Sequence, residues 1–347
     1  MLLTTLGTPS AFTVWGTLLL RTLVQVTRGK FQYIAAVTFD DLQTAFAART
    51  NDQVIIYSDA PDERMSNLLK RVGAPAAVFT EEPVDVVGYV MKTRNIDARK
   101  AIRFSCRSYT CLSAFHGQPF VSWFSRRTSS TVGHMLKQLA SHYKIELEED
   151  DAERVLSRVV RGYRKGDDPS VESIIQTQVP EAKPLGQMAS ELDVLDRDIA
   201  ESLLRPYLEL THGRPLTSVM WPKQLFYEGN NTGAYVSGPI ELAGRARFLF
   251  WAPNLHLPLG HWSATVHINI SESYSRNTVL VDVKCGEVLS SGRIDLPDRG
   301  SFIFTLQFAI TDSRLPIEIR FFLEKGAIEG WIDLVSVMIE RDRAEAA

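Results

Sequence analysis

The sequence predicts an α/β N-terminal domain joined by a helical linker region to an all-β C-terminal sandwich. Its 347 residues exceed what one hydrophobic core ordinarily organises, so two domains are expected. Short apolar runs alternate with helical patterns up to about residue 165, and closely spaced strand patterns begin at about residue 219. The predicted bounds are 1–165 for the first domain, 166–218 for the linker and bridging helix, and 219–347 for the sandwich.

The composition is that of a globular protein from a reducing compartment. Hydrophobic residues make up 45% of the chain and charged residues 23%, enough for a buried core in each domain. A formal net charge of −3 is too small to make nucleic acid a general partner. The cysteines Cys106, Cys111 and Cys285 are too few for a disulfide framework and are interpreted as buried thiols. We therefore expect a cytoplasmic protein.

The N-terminal apolar stretch AFTVWGTLLL is predicted to be an amphipathic helix. Arg21 interrupts it short of the roughly 20 residues that a membrane span needs. A basic leading region and a small-residue cleavage site, the marks of a signal peptide, do not flank it. Pro9 and Ser10 mark its start and Gly29 its end. We expect neither a membrane span nor a signal peptide.

The rest of the first domain alternates strands and helices. QVIIYS (53–58) and PAAVFT (75–80) have the short apolar, β-branched pattern of buried parallel strands. Each is followed by a helical pattern, DAPDERMSNLLKRVG and EPVDVVGYVMKTRN, the first with Asp59 or Asp62 as its N-cap. This order favours an α/β domain with parallel pairing.

Further helices connect the two domains. Residues 128–163 contain two helical patterns, and a polar stretch with three prolines follows at 164–187. MASELDVLDRDIAESLLRPYLEL then predicts a long bridging helix that ends near Gly213. A docking helix is favoured over a dimerising coiled coil because the leucine spacing covers barely three heptads. The oligomeric state is left open.

The C-terminal region reads as about eight short strands with turn residues between them. Such spacing predicts an antiparallel sandwich or jelly roll. The strand candidates are AYVSGPIEL, RARFLFWA, HWSATVHINI, NTVLVDVK, EVLSSGRI, SFIFTLQFAI, PIEIRFFLE and EGWIDLVSVMIE.

The order of these features over residues 219–342 resembles the galactose-binding-like jelly rolls of carbohydrate-binding modules. GPIEL leads into LPLGHWSATVHI, and TVLVDVK and FTLQFAI precede a last long strand after a glycine turn. The resemblance implies a carbohydrate partner held by flat aromatic rings and polar side chains. The candidate sugar-binding residues are Trp251, Trp262, Tyr274 and Trp331, drawn from a set that also holds Trp221 and Tyr227. The alternative is that these rings fill the sandwich core.

Residues 50–165 resemble a sulfotransferase. VIIYSDAPDERMSNLL stands where that family keeps its phosphate loop, and AVFTEEPVDVVGYVMKTRN resembles the segment that holds the 3′-phosphate of the sulfate donor. The turn DAPDER has no glycine, and its three acids accompany a lone cation, Arg64. Glu81 replaces the family's phosphate-binding arginine, and Tyr89 replaces its serine. These departures describe either a degenerate member or one with a rebuilt pocket, and they argue against a sulfate-donor nucleotide as cofactor. No other cofactor is assigned.

Candidate chemical groups are few. Cations dominate residues 92–127, and Arg103 and Arg107 share a helix face, so with Arg64 they are candidate anion-binding residues. The alternative is that these cations pair with the acidic run 146–153. His116 and His134 are candidate general bases, each with a structural role as the alternative. No metal is expected, because no histidine, cysteine and acid cluster has ligand spacing.

Three hypotheses follow. The first is a carbohydrate-related protein of bacterial surface polysaccharide production, either sulfotransferase-like or accessory. The second is a non-catalytic carbohydrate-binding or assembly protein whose α/β domain is a scaffold. The third is a glycosyl- or other group-transferase that holds a nucleotide-sugar through Arg103 and Arg107.

Overall fold

The structure is a computed structural model that describes residues 2–229 and 233–342. The chain divides into two compact units, Met1–Arg214 and Pro215–Ala347. The first unit is α/β and the second is a pair of antiparallel sheets, which confirms the predicted fold class. Residues 166–214, expected to link two domains, lie within the first unit, where their last helix packs on the two helices that follow the fourth strand.

Within residues 2–214, the first unit contains a five-stranded sheet in the order β2-β3-β1-β4-β5, and every neighbouring pair is parallel. The strands are β1 (Leu2–Gly7), β2 (Gln32–Ala35), β3 (Val54–Ser58), β4 (Ala76–Thr80) and β5 (Val121–Ser125). Strand β1 was not predicted from the sequence, although it is the central strand. Thr4 and Thr5 interrupt its apolar residues, so β1 lacks the continuous apolar run by which β3 and β4 were recognised. Both threonines are nevertheless fully buried.

The helix after β1 has the bounds that its sequence predicts. It is α1 (Ala11–Arg28), with Ser10 as N-cap and Gly29, at φ 82°, as the residue that ends it. Phe12, Trp15 and Leu19 are completely buried against the sheet and its neighbours. None of the helices in the described ranges combines the length and the apolar character that a membrane crossing requires.

The other helices cover both faces of the sheet. They are α2 (Phe39–Ala47), α3 (Glu63–Val72), α4 (Pro83–Arg94), α5 (Ala98–Ser113), α6 (Val132–His142), α7 (Glu149–Val159), α8 (Val171–Gln178) and α9 (Val194–Thr211). One core joins α1, α6, α7 and α8 to one face of the sheet, and a second joins α2 and α3 to the other. Helix α9 packs on α4 and α5.

The second unit, in residues 215–229 and 233–342, consists of two antiparallel sheets. One has the order β13-β12-β15-β9-β7 with β10 on β15, and the other has the order β14-β11-β16-β6 with β8 on β16. The strands are β6 (Ser218–Pro222), β7 (Tyr227–Glu228), β8 (Ile240–Glu241), β9 (Arg247–Trp251), β10 (Pro253–Leu255), β11 (Gly260–Ser271), β12 (Thr278–Cys285), β13 (Glu287–Asp295), β14 (Gly300–Ile310), β15 (Ile317–Leu323) and β16 (Trp331–Arg341).

Alternation along the strands decides which side chains face the sandwich core. In β11, the even-numbered residues from Trp262 to Ile270 are buried, and the residues between them are partly or fully exposed. The outward positions of β11 are polar, whereas Ile303 of β14 and Met220 of β6 are exposed apolar side chains of the same sheet. This strand pattern confirms the predicted all-β sandwich.

Candidate functional site

The strand order of the first unit reverses beside β1. From β1 the chain continues to β2 and β3 on one side, and then returns to β4 and β5 on the other. In open parallel sheets, ligands bind outside the carboxyl ends of the strands at such a reversal. Here the end of β1 leads through Thr8–Ser10 into α1, and the end of β4 leads through Glu81 and Glu82 into α4. We call this place the crevice.

The protein's own side chains occupy the α1 end of the crevice. Ser10 Oγ accepts a hydrogen bond from the Thr13 backbone N–H at 3.2 Å. The Glu81 Oε2 atom accepts from the Phe12 N–H at 3.3 Å. A helix N-terminus is a ready anion site because its first N–H groups lack intrahelical partners. In this chain the anion on α1 is the carboxylate of Glu81.

Glu81 belongs to a buried ion-pair cluster. Its Oε1 atom pairs with Arg126, and both side chains are 2% exposed. Arg126 also donates to both Glu172 carboxylate oxygens, at 2.9 and 3.0 Å, and to the Lys183 carbonyl at 2.6 Å. Burial acts to lower the pKa of Arg126, but the Glu81 and Glu172 carboxylates outweigh it and raise that pKa. Arg126 is therefore already paired with two of the protein's own carboxylates.

A further acid in the crevice is poorly compensated. Asp85, in the first turn of α4, is 3% exposed, and both of its oxygens lie 3.2 Å from the Gly186 N–H. Burial and the nearby Glu81 carboxylate raise the pKa of Asp85 to about 6. A buried carboxylate with little hydrogen bonding favours its neutral form. No sequence pattern marks Asp85, and Arg126 was predicted only as one of the cations of the basic segment 92–127.

The turn that the sulfotransferase resemblance assigned as a phosphate loop lies elsewhere. It follows β3, which is separated from β4 by β1, so it is not at the strand-order reversal. Asp62 fills it by accepting from the Met65 N–H at 2.7 Å and from the Phe39 N–H at 2.8 Å. The loop at the reversal is the one after β1. Because β1 was not recognised as a strand in the sequence, the phosphate loop was assigned to the turn after β3.

The candidate anion-binding arginines lie on two elements. Arg64, on α3, pairs with Asp40 at 3.0 Å and its side chain is 57% exposed. Arg103 and Arg107 are one turn apart on α5, and the Arg107 charge acts on the Asp59 carboxylate. Cations of the basic segment pair at several sites with acids outside the run 146–153. These pairs are Lys92–Glu191, Arg94–Asp59, Arg99–Asp196, Lys100–Asp97, Arg126–Glu81 and Arg127–Glu82.

The two candidate histidines are exposed and lie on different elements. His116 follows α5, with its ring against Gly213, and His134 is on α6 beside a groove of about 1000 Å³ between α6 and α7. His142 was not singled out, yet its Nδ1 atom lies 2.8 Å from Ser122 Oγ and its Nε2 atom lies 3.0 Å from the Ala76 carbonyl. Burial lowers the pKa of His142. In the described residues, no group of three histidine, cysteine or acidic side chains could hold a metal ion.

The candidate aromatic residues of the second unit differ sharply in exposure. Trp262 is 1% exposed and its Nε1–H donates to the Pro258 carbonyl at 3.0 Å, so no ring face is open. Trp251 is partly buried, and its ring packs 4.9 Å from that of Tyr227. Tyr274 is 63% exposed and Trp331 is 38% exposed. Only the last two of the four candidates are strongly exposed.

Tyr274 and Trp331 lie at the same end of the sandwich. Trp331 opens β16 opposite Ser271, the last residue of β11, and Tyr274 is in the loop that follows β11. We call this the loop end. Its loops are held together at Glu329, whose carboxylate accepts from Ser275 Oγ at 2.7 Å and whose carbonyl accepts from Asn277 Nδ2 at 3.2 Å.

Polar side chains continue from the loop end along the outward face of the β14-β11-β16-β6 sheet. Ser301 Oγ donates to Asn269 Oδ1 at 2.6 Å, and the hydroxyls of Thr265 and Thr305 are 3.1 Å apart. At the other end of β11, the sheet borders a cavity of about 540 Å³. Its lining includes His261, Ser263, Gln307, Glu340 and Arg341.

No family model matches the sequence, and no curated protein matches it. Solved structures similar to the N-terminal region include a mouse sulfotransferase complexed with PAP, at 8% identity, 56% of this chain, 80% of that chain and a TM-score of 0.38. The C-terminal region is similar to the C-terminal CBM6 of the marine laminarinase LamC from Zobellia galactanivorans, at 9% identity, 36% of this chain, 99% of that chain and a TM-score of 0.25.

A third solved structure is the CBM36-1 domain of a multidomain xylanase from the hindgut metagenome of Trinervitermes trinervoides. It matches at 11% identity over 36% of this chain and 98% of that chain, with a TM-score of 0.25. These proteins are of the two classes that the sequence resembles. With TM-scores below 0.5, the likenesses decide nothing about the crevice or the loop end.

Proposed function

We propose that this protein binds carbohydrate through the loop end of its second unit and that its α/β unit is a non-catalytic scaffold. The observation that supports binding is the pair of exposed aromatic rings, Tyr274 and Trp331, beside loops fixed by Glu329. We place this role in surface polysaccharide production, as an accessory protein. The sequence resemblances of the two regions support that setting.

Stacking explains why exposed rings at this position favour a sugar ligand. The C–H face of a pyranose is apolar, and Tyr and Trp offer a flat ring with few rotatable bonds, so little conformational entropy is lost on binding. Trp331 is anchored further by its place in the β16 ladder. The hydroxyl and amide groups of Thr265, Asn269 and Ser301 continue the surface with hydrogen-bonding groups for further sugar units.

The crevice supports the scaffold role of the α/β unit. A nucleotide phosphate at the N-terminus of α1 would meet the Glu81 carboxylate, which already accepts the Phe12 N–H. Displacing Glu81 would leave Arg126 with one fewer carboxylate partner in a buried site. Like charges repel strongly where water is scarce, so a phosphate is disfavoured there.

Affinity electrophoresis of the full chain in gels that contain laminarin, xylan, galactan or bacterial exopolysaccharide tests carbohydrate binding. We expect retardation on at least one polysaccharide, and a loss of affinity on the order of 10-fold or more for Tyr274→Ala and Trp331→Ala, as for central aromatic contacts in interfaces. Phe248→Ala is the matched control, because Phe248 is 41% exposed on the other sheet. Migration unchanged on every polysaccharide, or equal binding by all variants, would overturn the proposal.

Nucleotide binding tests the scaffold role separately. Adenosine 3′,5′-bisphosphate at millimolar concentration should leave the melting temperature of the α/β unit unchanged, because a ligand that binds only the native state must stabilise it. A rise in that temperature would restore the transferase hypothesis. If Arg103→Ala and Arg107→Ala then abolished the rise, the group-transferase alternative would be favoured.

A further inference from the structure

The segment between α8 and α9, residues 180–193, covers the first turn of α4, and we call it the strap. The Lys183 carbonyl accepts from Arg126 Nη2 at 2.6 Å, and the Leu185 N–H donates to Glu172 Oε1 at 3.0 Å. Further along, the Gly186 N–H lies 3.2 Å from both Asp85 oxygens. The strap is thus held by groups of the crevice.

Packing adds to these polar contacts. Met188 is 2% exposed and lies so close to Gly88 of α4 that a Cβ at that glycine would be 2.9 Å from the Met188 Cβ. At the end of the strap, Lys92 Nζ donates to Glu191 Oε1 at 2.7 Å. The strap therefore covers the Asp85 side chain, which is 3% exposed.

Asp85 is the strap's ionisable partner in the first turn of α4. The hydrogen bond from the Gly186 N–H favours its charged form, but burial and the Glu81 carboxylate outweigh that bond and raise the pKa of Asp85. The described residues supply its carboxyl with one backbone donor, the Gly186 N–H, although the side chain is buried. The Arg126 charge acts to lower the pKa of Asp85, but Arg126 already donates to Glu81 and Glu172. A charged carboxylate in this position loses hydration that one N–H does not replace.

We propose that the strap is a pH-sensitive lid that opens when Asp85 loses its proton. Opening admits water to the carboxyl, so the open form tolerates the charge better than the closed form does. The closed form has the higher pKa at Asp85 and therefore binds the proton more tightly, so a low pH stabilises the closed form relative to the open form. The closed strap is therefore favoured at low pH and weakened as the pH rises.

The sign and size follow from the carboxyl's two environments. In the closed form, burial and the Glu81 carboxylate raise the pKa of Asp85 to about 6, from the ordinary 3.8 that water exposure would restore. The closed form's advantage is complete below the ordinary value and is lost as pH rises through about 6. The full difference sets an upper limit of about 100-fold on the change in the opening equilibrium, because the Glu81 carboxylate stays near Asp85 in the open form; about tenfold of it falls between pH 5 and pH 8.

Other ionisable groups around Asp85 do not replace it as the switch. The cations of this region are Arg126 and Arg127, which follow β5, and Arg205 on α9. Arginine as a residue type is not deprotonated in proteins, so it cannot act as a pH switch. Burial, with the Glu81, Glu82 and Asp85 charges, raises the pKa of Tyr109 well above its ordinary value, so it stays neutral. The carboxylates that also face this region are Glu81, Glu82 and Glu201.

Opening would also change a cavity. The strap residues Leu185 and Gly186 form one wall of a space of about 350 Å³ whose other walls include Glu82, Arg127 and Arg205. Pro83, Val84 and Asp85 of α4 line the same space, so lifting the strap removes that wall and widens the access of water to the Asp85 carboxyl. The lid lies within the α/β unit, so its opening is tested independently of carbohydrate binding by the second unit.

Hydrogen–deuterium exchange of the full chain at pH 5, 6, 7 and 8 tests the lid, with labelling times scaled to equal intrinsic exchange. We expect the protection of peptides from 180–193 to fall about tenfold over this range, while peptides from α8 keep theirs. Asp85→Asn retains an acceptor for Gly186 without a charge, so its strap should stay protected at every pH. Asp198→Asn, which neutralises an exposed acid on α9, should behave as wild type.

Two outcomes would overturn the lid. One is strap protection in the wild type that does not change with pH relative to α8. The other is Asp85→Asn following the wild-type profile. If circular dichroism shows that Asp85→Asn does not fold, the comparison of strap and α8 peptides in the wild type decides alone.

Discussion

The buried pair of Arg126 and Glu81 makes a sharp prediction about stability. Arg126→Met removes the cation and leaves the Glu81 carboxylate, 2% exposed, without its ion-pair partner. Breaking a buried pair in this way typically costs about 3–5 kcal/mol, since the remaining charge has lost its hydration and gained no replacement. Arg126 also donates to Glu172 and to the Lys183 carbonyl, so further hydrogen bonds are lost. We expect the upper part of that range.

The next residue in the chain is a matched control. Arg127 has a side chain that is 72% exposed and lies 3.7 Å from Glu82. Exposed pairs of this kind contribute about 0–1 kcal/mol, because water and salt screen the charges. Arg127→Met makes the same chemical change one position away and is expected to alter the free energy of unfolding by less than about 1 kcal/mol.

Urea titration followed by circular dichroism at 222 nm measures this difference. Helices α1 to α9 lie in the first unit, so the signal reports mainly on its unfolding. With a slope of about 1–3 kcal/mol per molar urea, Arg126→Met should lower the midpoint by about 1–5 M. Equal midpoints for Arg126→Met and Arg127→Met would refute the buried pair and, with it, the occupied crevice.

Three further predictions concern buried positions. Asp85→Asn should gain about 1–1.5 kcal/mol of unfolding free energy relative to wild type between pH 5 and pH 8, because the raised pKa of Asp85 makes its ionisation oppose folding as pH rises through about 6. Gly16→Ala should lose about 1–3 kcal/mol despite alanine's higher helix propensity, because its Cβ would lie 2.6 Å from the Phe79 ring. Trp262→Ala should destabilise the sandwich by about 3–5 kcal/mol, whereas Trp331→Ala should change it by less than about 0.5 kcal/mol.

Urea titrations at each pH, and thermal melts of the second unit by tryptophan fluorescence, supply these measurements. A pH-independent effect of Asp85→Asn would contradict the raised pKa. If Gly16→Ala raised the free energy of unfolding, the close packing of α1 on Phe79 of β4 would not limit stability, and the prediction would be wrong. Equal melting temperatures for the two tryptophan variants would contradict the burial of Trp262.

Local sequence signals determined many of the elements. The bounds of α1 follow from Ser10 and Gly29, since a hydroxyl caps the first N–H groups and a glycine at positive φ ends the last turn. The alternation in β11 follows from its sequence, because side chains point to opposite faces with period two. Strands β3 and β4 were recognisable as short apolar runs with few competing patterns.

Strand β1 shows where the same reasoning fails. LLTTLG contains two threonines that read as polar, yet Thr4 and Thr5 are fully buried at the centre of the sheet. Without β1 the strand order could not be derived. The phosphate loop was therefore predicted at the turn after β3 and not at the loop where the strand order reverses. Strand order depends on packing between segments far apart in the chain, which local periodicity does not encode.

The amino-acid sequence by itself determined the fold class, because hydrophobic period and turn residues act over a few positions. It also placed Glu81 where a cation was expected. Only the tertiary structure decided that Glu81 meets Arg126, 45 residues later, and that Trp331 is exposed while Trp262 is buried. Charge pairing and exposure depend on distances between remote segments, and those distances are fixed when the sheets and helices pack.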